Sequence, residues 1–230
     1  MFLLLLLTNA FDLIYLDEDE IKKIAFIEST NKNVIILDFD DTIYDFKGLL
    51  EEKHNQNKIN CLKKYLQDEY TDELLGKYRE KYGITCLGLK ERGVSALEIL
   101  ELTTFETFKH FSLKPDEELT NILRKIPGDK WIFTNNQPII VERLLDELGI
   151  KDEIEFVFGP NFYLNKTICK PQKESFEILD YVIKNKRKYE KVYFFDDSKK
   201  NIALGKEFKW ISICSDYEKL KNDLKMIFLQ

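Results

Sequence analysis

Histidine is scarce in this chain, and basic residues are fewer than acidic ones. Only two of its 230 residues are histidines, His54 and His110, which excludes a multi-histidine metal site within one chain and leaves few candidates for a histidine-based catalytic triad. The 35 lysines and arginines are outnumbered by 41 acids, giving a formal net charge of -6. Because a general nucleic-acid binder needs a basic face to neutralise phosphates, we expect no nucleic-acid polymer as a partner. If the protein is an enzyme, we expect its chemistry to depend on carboxylates.

Cysteine pairs and long apolar runs are also missing. Cys61, Cys86, Cys169 and Cys214 form no CxxC pair, so neither a zinc knuckle nor a redox dithiol is indicated. We interpret them as buried thiols in a reducing compartment, which predicts a cytoplasmic protein. The apolar run at residues 2–7 is shorter than the about 20 residues that span a membrane, so no membrane partner is expected. We interpret this run as a strand or helix packed on the core, and a signal peptide is the alternative.

Short apolar runs alternate with helical patterns along most of the chain. Residues 34–37 (VIIL) predict a strand that is buried on both faces of a parallel sheet. Similar runs predict strands at residues 130–134, 155–158, 191–195 and 210–214. Residues 138–148 and 173–186 predict helices, the first with a proline at its start and Gly149 just past its end. The alternation predicts a doubly wound, mainly parallel α/β sheet of the Rossmann-like kind.

One segment interrupts this alternation. Residues 48–114 have a helical pattern, contain no convincing strand and are rich in aromatic residues. We therefore predict an N-terminal extension (residues 1–33), an α/β core (residues 34–47 and 115–230) and an inserted helical cap (residues 48–114), placed to cover a site at the carboxyl edge of the sheet. Aromatic residues at helical spacing are mostly core residues. Within the cap, Tyr78, Tyr82 and residues 83–89 are our candidates for substrate contact.

Pairs of acids follow two of the predicted strands. Asp38 and Asp40 are two residues apart on an extended chain, so their side chains point the same way. Asp196 and Asp197 follow a later strand. If the two strands are neighbours, the carboxylates form a hard-oxygen site for Mg²⁺ at the sheet edge where α/β proteins bind ligands. The alternative is that these acids cap the helices that follow them.

Two further segments offer polar groups. Thr134 and Asn135 end a predicted strand and suit phosphate oxygens, although an ordinary polar turn is the favoured interpretation of this segment in isolation. Lys170 precedes a predicted helix, where a lysine by itself is usually a solvated surface residue. Lys166 is a rival for any catalytic lysine role, and the solvated reading suits it better.

Taken in order, the four segments resemble the motifs of the haloacid dehalogenase (HAD) superfamily of phosphohydrolases. DFDDT resembles the first motif, DxDx[TV], and IFTN resembles the second, an apolar run that ends in Thr or Ser. The lysine of CKP resembles the third motif and FFDDS the acidic fourth. The segments LDFDDTIYDF, KYGITCLGL, WIFTNN, ICKPQKESFEIL and YFFDDSKKNI are similar to the pyrimidine 5'-nucleotidase branch of the superfamily. Residues 1–33 lie outside the resemblance.

The resemblance implies a role for each matching residue. Asp38 would be the nucleophile that forms an aspartyl-phosphate, and Asp40 the general acid and base, with its backbone carbonyl on Mg²⁺. Thr134 and the backbone of Asn135 would hold the phosphoryl group, and Lys170 would neutralise charge. The implied metal site consists of Asp38, Asp40, Asp197 and, through water, Asp196.

One residue departs from the family pattern. Asp41 occupies a position that is often Gly or Asn in the superfamily; we expect it to be hydrogen-bonded to a neighbouring turn, and its charge could shift metal affinity. The DxD pair favours a phosphatase over a dehalogenase, because a phosphoester leaving group needs a proton and a halide does not.

The resulting expectation is a Mg²⁺-dependent phosphomonoesterase for nucleoside 5'-monophosphates such as UMP or CMP. Three alternatives remain. They are a phosphatase for a sugar phosphate or another small phosphoester, a catalytically idle binding protein on the HAD fold, and a phosphoacceptor signalling domain. The helical insertion and the DxD pair argue against the last of these.

Overall fold

The computed structural model describes residues 11–23 and 29–229, so the apolar run at residues 2–7 lies outside the described part. Six parallel strands form one sheet in the spatial order β1-β4-β3-β2-β5-β6. The strands are β1 (Asp12–Leu16), β2 (Asn33–Leu37), β3 (Asp129–Phe133), β4 (Phe156–Pro160), β5 (Lys191–Asp196) and β6 (Ile211–Cys214). The predicted doubly wound α/β fold is confirmed, and the five predicted strands are all present.

Strand β2 lies at the centre of the sheet, and its residues 34–37 are fully buried. Successive side chains alternate between the two faces. Ile35 and Leu37 enter one apolar cluster, and Val34 and Ile36 enter another. Helices cover both faces, which is why the strand reads as a continuous apolar run.

The helices of the core divide between these two faces. Helices α7 (Glu117–Lys125), α8 (Pro138–Leu148) and α11 (Leu220–Phe228) contribute to the cluster of Ile35 and Leu37. Helices α9 (Lys173–Tyr181) and α10 (Lys199–Glu207) contribute to the other cluster. Helix α8 has the predicted bounds, and Gly149 ends it with a φ of 73°.

The direction of chain progression reverses next to β2. From β2 the chain proceeds to β3 and β4 on one side, then crosses back to β5 and β6 on the other. Such a switch point opens a crevice at the carboxyl ends of the two strands that flank it. The crevice therefore lies where β2 and β5 end, close to both predicted pairs of acids.

The extension at residues 1–33 contributes more than the sequence predicts. Residues Asp12–Leu16 form β1, which pairs in parallel with β4 at one edge of the sheet, and α1 (Glu18–Lys23) follows it. Ile14 and Leu16 are buried in the core cluster. This strand was not predicted because it is short and flanked by acids, and only its pairing with β4 identifies it.

The cap consists of helices throughout residues 46–108, all of which the structure describes. They are α2 (Phe46–Leu49), α3 (Glu51–Leu66), α4 (Asp72–Tyr82), α5 (Ala96–Leu100) and α6 (Glu106–Phe108), with 3-10 segments at Gln67–Glu69 and Thr85–Arg92 and a π turn at Glu101–Phe105. The cap has an apolar cluster of its own, which includes Tyr78. It contacts the core where Leu87 and Leu100 pack on Phe162.

Two further expectations from the sequence concern the burial of the cysteines and the presence of membrane-spanning helices. Cys61, Cys86 and Cys169 are buried, as predicted, but Cys214 is exposed because it ends β6, the strand at the open edge of the sheet. Within the described ranges, no helix combines the length and the apolar character that a membrane crossing requires.

Candidate active site

A buried lysine joins the two predicted pairs of acids. The Nζ atom of Lys170 lies 2.6 Å from Asp38 Oδ1 and 2.7 Å from Asp196 Oδ2. All three residues are more than nine-tenths buried. Asp38 is held at the end of β2 because its backbone N–H donates to the Phe195 carbonyl of β5 at 2.8 Å. The solvated reading of Lys170 is therefore wrong, whereas Lys166 is exposed and paired with Glu174.

The charges of this group do not balance. Burial raises the pKa of the Asp38 carboxyl, and the charge of Asp196 raises it further, although Lys170 opposes both. Burial alone would lower the pKa of Lys170, but the charges of Asp196 and Asp38 raise it above its ordinary value. Lys170 therefore stays protonated between two acids, and a further cation would compensate the remaining negative charge.

Three carboxylates are close enough to hold that cation. Oxygen atoms of Asp38, Asp196 and Asp197 all lie within 4.8 Å of one another. A set of carboxylate oxygens without nitrogen or sulfur ligands fits Mg²⁺. The carboxylate of Asp40, which we predicted near the metal, is not part of this group, so only its backbone carbonyl could serve there.

Asp40 has a separate environment. Its carboxylate accepts a hydrogen bond from the Tyr44 hydroxyl at 2.5 Å and from Asn136 Nδ2 at 3.1 and 3.2 Å. Burial raises the pKa of Asp40 to about 6, although the hydrogen bonds from Tyr44 and Asn136 oppose the shift. A carboxyl group with a pKa near neutrality can both give and take a proton at physiological pH. Neither Tyr44 nor Asn136 was predicted; the only signal is their proximity in sequence to Asp40 and Asn135.

The additional acid, Asp41, is neutralised locally. Its carboxylate accepts a hydrogen bond from the backbone N–H of Lys47 at 2.7 Å, which confirms the expected contact with a neighbouring turn. The Nζ atom of Lys47 lies 3.3 Å from Asp41 Oδ2 and 2.8 Å from Asp197 Oδ2. Lys47 thus forms ion pairs both with Asp41, the residue that departs from the family pattern, and with Asp197, a candidate metal ligand.

The predicted phosphate-binding residues lie beside these groups. The Thr134 side chain is fully buried, and its Oγ1 accepts a hydrogen bond from the Asn136 backbone at 3.0 Å. The Asn135 side chain donates to the Lys170 carbonyl at 2.7 Å and accepts from the Lys170 N–H at 2.8 Å. The side chain of Asn135 therefore fixes the backbone of the buried lysine, which leaves its own backbone N–H for the predicted phosphate contact.

Asp196 is held rigidly at the end of β5. One oxygen accepts the Ser198 backbone N–H at 2.8 Å, and Asn201 Nδ2 lies 2.9 Å from both oxygens. These bonds, together with Lys170, orient the carboxylate toward Asp38. Asn201 was missed in the sequence, although it lies in the first turn of the helix that follows the acids.

Two adjoining cavities open at this site. The first, which we name the core cavity, has a volume of about 530 Å³ and contains Asp38, Lys170 and Asp197 among its lining residues. The second, the cap cavity, has a volume of about 420 Å³ and lies between the cap and the core. Both are lined by Asp40, Arg79, Gly83 and Asn135. A molecule that reacts at Asp38 can therefore extend past Asp40 into the cap cavity.

The structure does not bring Tyr82 to either cavity, so its predicted contact with substrate is corrected. The Tyr82 ring packs on the apolar clusters of the cap, and its hydroxyl donates to Glu91 at 2.8 Å. The neighbouring residues 83–87, from the predicted segment 83–89, do line the cap cavity. Tyr78 is buried in the cap interior.

The chain resembles known proteins both in sequence and in fold. A sequence profile of the haloacid dehalogenase-like hydrolases matches residues 32–209. A haloacid dehalogenase-like family hydrolase from Xanthomonas campestris has a similar structure, with a TM-score of 0.55, 12% sequence identity and coverage of 89% of this chain and 96% of that chain.

Two more distant structural similarities have TM-scores below 0.5. The L-2-haloacid dehalogenase of Xanthobacter autotrophicus has a TM-score of 0.46 and 16% identity, with coverage of 80% of this chain and 76% of that one. A protein of Bacillus subtilis described as a HAD hydrolase and bound to magnesium has a TM-score of 0.48 and 17% identity, with coverage of 85% and 100%. Because the family match spans residues 32–209 of 230, this chain belongs to the haloacid dehalogenase-like hydrolases.

Proposed function

We propose that this hydrolase is a Mg²⁺-dependent phosphomonoesterase that acts on pyrimidine nucleoside 5'-monophosphates such as UMP and CMP. The observation that carries the proposal is the buried Lys170 between Asp38 and Asp196, with Asp40 and Asp197 on the same cavity. This arrangement supplies a nucleophile, a fixed positive charge, an acid and base, and a carboxylate metal site.

Asp38 performs the attack on phosphorus. Lys170 holds its Oδ1, whereas among the described residues Oδ2 receives only a 3.3 Å contact from the Thr42 hydroxyl. Oδ2 is therefore available to form the aspartyl-phosphate while Lys170 balances the charge of the acid. Mg²⁺, held by Asp38 and Asp197 with Asp196 beside them, would neutralise the phosphoryl oxygens during transfer.

Asp40 transfers the proton in both halves of the reaction. In the first half it protonates the ester oxygen as the bond from phosphorus to that oxygen breaks. In the second half it takes a proton from the water that attacks the aspartyl-phosphate, which releases phosphate and restores Asp38. Its pKa near 6 suits this alternation. A halide leaving group would not need this acid, which supports a phosphatase over a dehalogenase.

The cap cavity supports a leaving group of substantial size. It adjoins the core cavity at Asp40, the proposed acid, and its volume of about 420 Å³ gives room for a nucleoside. We also propose a cytoplasmic location and a small phosphoester as the only type of partner, rather than a membrane or a nucleic-acid polymer. The four free cysteines and the net charge of -6 support this part of the proposal.

The test is a phosphate-release assay across nucleoside monophosphates and sugar phosphates, with Mg²⁺ and with EDTA. We expect the highest kcat/KM for UMP and CMP, loss of activity in EDTA and recovery on adding Mg²⁺. A preference for sugar phosphates would overturn the substrate, and activity that persists in EDTA would overturn the metal dependence. Absence of phosphate release from every substrate would favour the idle binding protein.

A further inference from the structure

The cap cavity contains a buried donor that has no acceptor. Gln137 lies just before α8, is 2% exposed and lines the cap cavity. Its Nε2 atom makes no hydrogen bond among the residues that the structure describes. A buried amide N–H without a partner is rare in folded proteins and destabilises the fold, so such a group calls for a ligand or another explanation.

A second donor, Lys58, lies on the cap side of the same cavity. It belongs to α3 and is half-buried. In the described parts of the chain, its Nζ atom forms no hydrogen bond or ion pair, unlike that of Lys53 or Lys64 on the same helix. Burial lowers the pKa of Lys58, and the charge of Arg79 acts in the same direction. Cys86 and Glu51 act in the opposite direction, but neither forms a hydrogen bond or ion pair with Nζ, so the lysine lacks a direct acceptor among the described residues.

No lining residue of the cap cavity offers these donors an unengaged carboxylate. Asp40 is the one acid among the described lining residues, and Tyr44 and Asn136 already engage it. His54 stays neutral at physiological pH, since burial lowers its pKa to about 4, and its Nδ1 contacts Thr107. A bound molecule with acceptor atoms would therefore satisfy both donors.

The remainder of the lining indicates what kind of molecule this is. Much of it is apolar, from Phe46, Ile84, Leu87, Leu100 and Phe108. Such walls suit a flat ring more than a sugar, whose hydroxyl groups would lose hydrogen bonds to water without replacement. A pyrimidine ring offers apolar faces and acceptors at its edge, and the O2 carbonyl is common to uracil and cytosine.

We propose that Lys58 and Gln137 determine substrate specificity by donating hydrogen bonds to acceptors at the edge of a pyrimidine base, with O2 as the shared target. The inference rests on the proposed function and extends it by naming the residues that select the base. A site that hydrogen-bonds its substrate discriminates strongly against analogues that leave its buried polar groups unpaired. The phosphoryl group reacts in the core cavity and is not contacted by either residue.

The experiment compares Lys58→Met and Gln137→Leu with the unaltered chain on UMP, CMP and ribose 5-phosphate. Ribose 5-phosphate keeps the reacting group and the sugar but lacks the base. Each substitution should raise KM for UMP and CMP about tenfold or more with little change in kcat, and leave kcat/KM for ribose 5-phosphate within about twofold. Lys58→Gln, which keeps a donor without the charge, should give an intermediate KM.

Matched controls use the same substitutions on exposed residues of α3. Lys63→Met and Gln56→Leu replace side chains that do not line the cap cavity, and both should leave all three substrates unaffected. The melting temperature of Gln137→Leu should equal or exceed that of the unaltered chain, because the substitution removes an unpartnered buried donor. A residue needed only for packing would instead lower it.

The outcomes separate the two proposals. Equal losses on UMP and ribose 5-phosphate, or no loss on UMP, would overturn the specificity role while the phosphatase proposal stands. If the unaltered chain hydrolyses ribose 5-phosphate but not UMP, the nucleotide proposal fails and takes this inference with it. If a phosphoester with a second acidic group is the preferred substrate and its KM rises in Lys58→Met, the cavity selects an anion and the base assignment is wrong.

Discussion

The core cavity and the cap cavity meet at Asp40, yet they differ in chemistry. In the core cavity the charged groups at the reaction centre are buried and mutually paired, as Lys170 is with Asp38 and Asp196. In the cap cavity the walls are largely apolar, and the donors of Lys58 and Gln137 have no partner among the described residues. A preorganised charge network suits a reaction that every substrate shares, whereas unpaired donors suit recognition of one particular molecule.

The largest effect should follow from removing the nucleophile in the core cavity. Asp38→Asn keeps the shape of the side chain but removes the attacking carboxylate, so kcat should fall at least about 10³-fold on every substrate. Initial rates on UMP and on ribose 5-phosphate measure this, and a thermal melt verifies folding. A loss of activity confined to UMP would show that Asp38 acts in substrate recognition and not in the reaction that all substrates share.

Asp40 lies at the boundary between the core cavity and the cap cavity. The loss of activity caused by its substitution should therefore depend on the leaving group. Asp40→Asn should lower kcat on UMP by about 10²- to 10⁴-fold, the usual contribution of general acid–base catalysis. The loss on p-nitrophenyl phosphate should be smaller, because nitrophenolate leaves without a proton. Comparable losses on the two substrates would contradict the role of Asp40 as the acid.

The raised pKa of Asp40 also predicts how kcat/KM depends on pH. The pKa of Asp40 is raised to about 6, so its protonated fraction falls about tenfold per pH unit above that value. Since protonation of the leaving group requires this form, kcat/KM for UMP should decline as pH rises above about 6, and for p-nitrophenyl phosphate it should stay nearly constant. In Asp40→Asn the decline should disappear; its persistence would assign it to another group.

A smaller effect is expected where the cap begins. Lys47 competes with a cation for Asp197, from which it lies 2.8 Å, but its side chain is 58% exposed. Exposed ion pairs are worth about 0.2–1 kcal/mol, so Lys47→Met should tighten Mg²⁺ binding by at most about fivefold. Calorimetric titration measures this, with Lys32→Met, whose ion pair with Glu190 lies on a distant surface, as the control. Weaker Mg²⁺ binding in Lys47→Met would show that Lys47 supports the metal site.

The smallest effect is predicted for Tyr82. Tyr82→Phe removes only a hydroxyl that bonds to Glu91 outside both cavities, so kcat and KM for UMP should stay within about twofold of the unaltered values. A tenfold rise in KM for UMP in Tyr82→Phe would show that Tyr82 does contact the substrate. Steady-state kinetics on UMP, beside Lys58→Met, gives the comparison directly.

The core half of the site could be predicted because local rules position it. The pairs of acids follow apolar strands, and parallel strands bring their carboxyl ends to one edge, so the spacing of Asp38 and Asp40 already implied a site. The partners of these acids were harder to see. Tyr44 and Asn136 reach Asp40 from different loops, and their hydrogen bonds depend on how those loops pack.

The cap half could not be predicted in the same way. Lys58 and Gln137 are 79 residues apart in the chain and line one cavity because the cap folds onto the core. Helical periodicity indicated an apolar face but not which polar side chain would turn inward, so Tyr82 was predicted to contact the substrate and nothing in the pattern indicated Lys58. Strand β1 was missed for a related reason, since its partner β4 lies far along the chain.

The most direct test of the account is the detection of phosphate on Asp38. The enzyme is mixed with UMP and Mg²⁺, quenched in acid during turnover, and digested for mass spectrometry. The account predicts one added phosphoryl group on the peptide that contains residue 38, absent in Asp38→Asn and increased in Asp40→Asn when p-nitrophenyl phosphate is the substrate. Rapid turnover of UMP with phosphate on another residue, or with no phosphorylated enzyme under any condition, would contradict it.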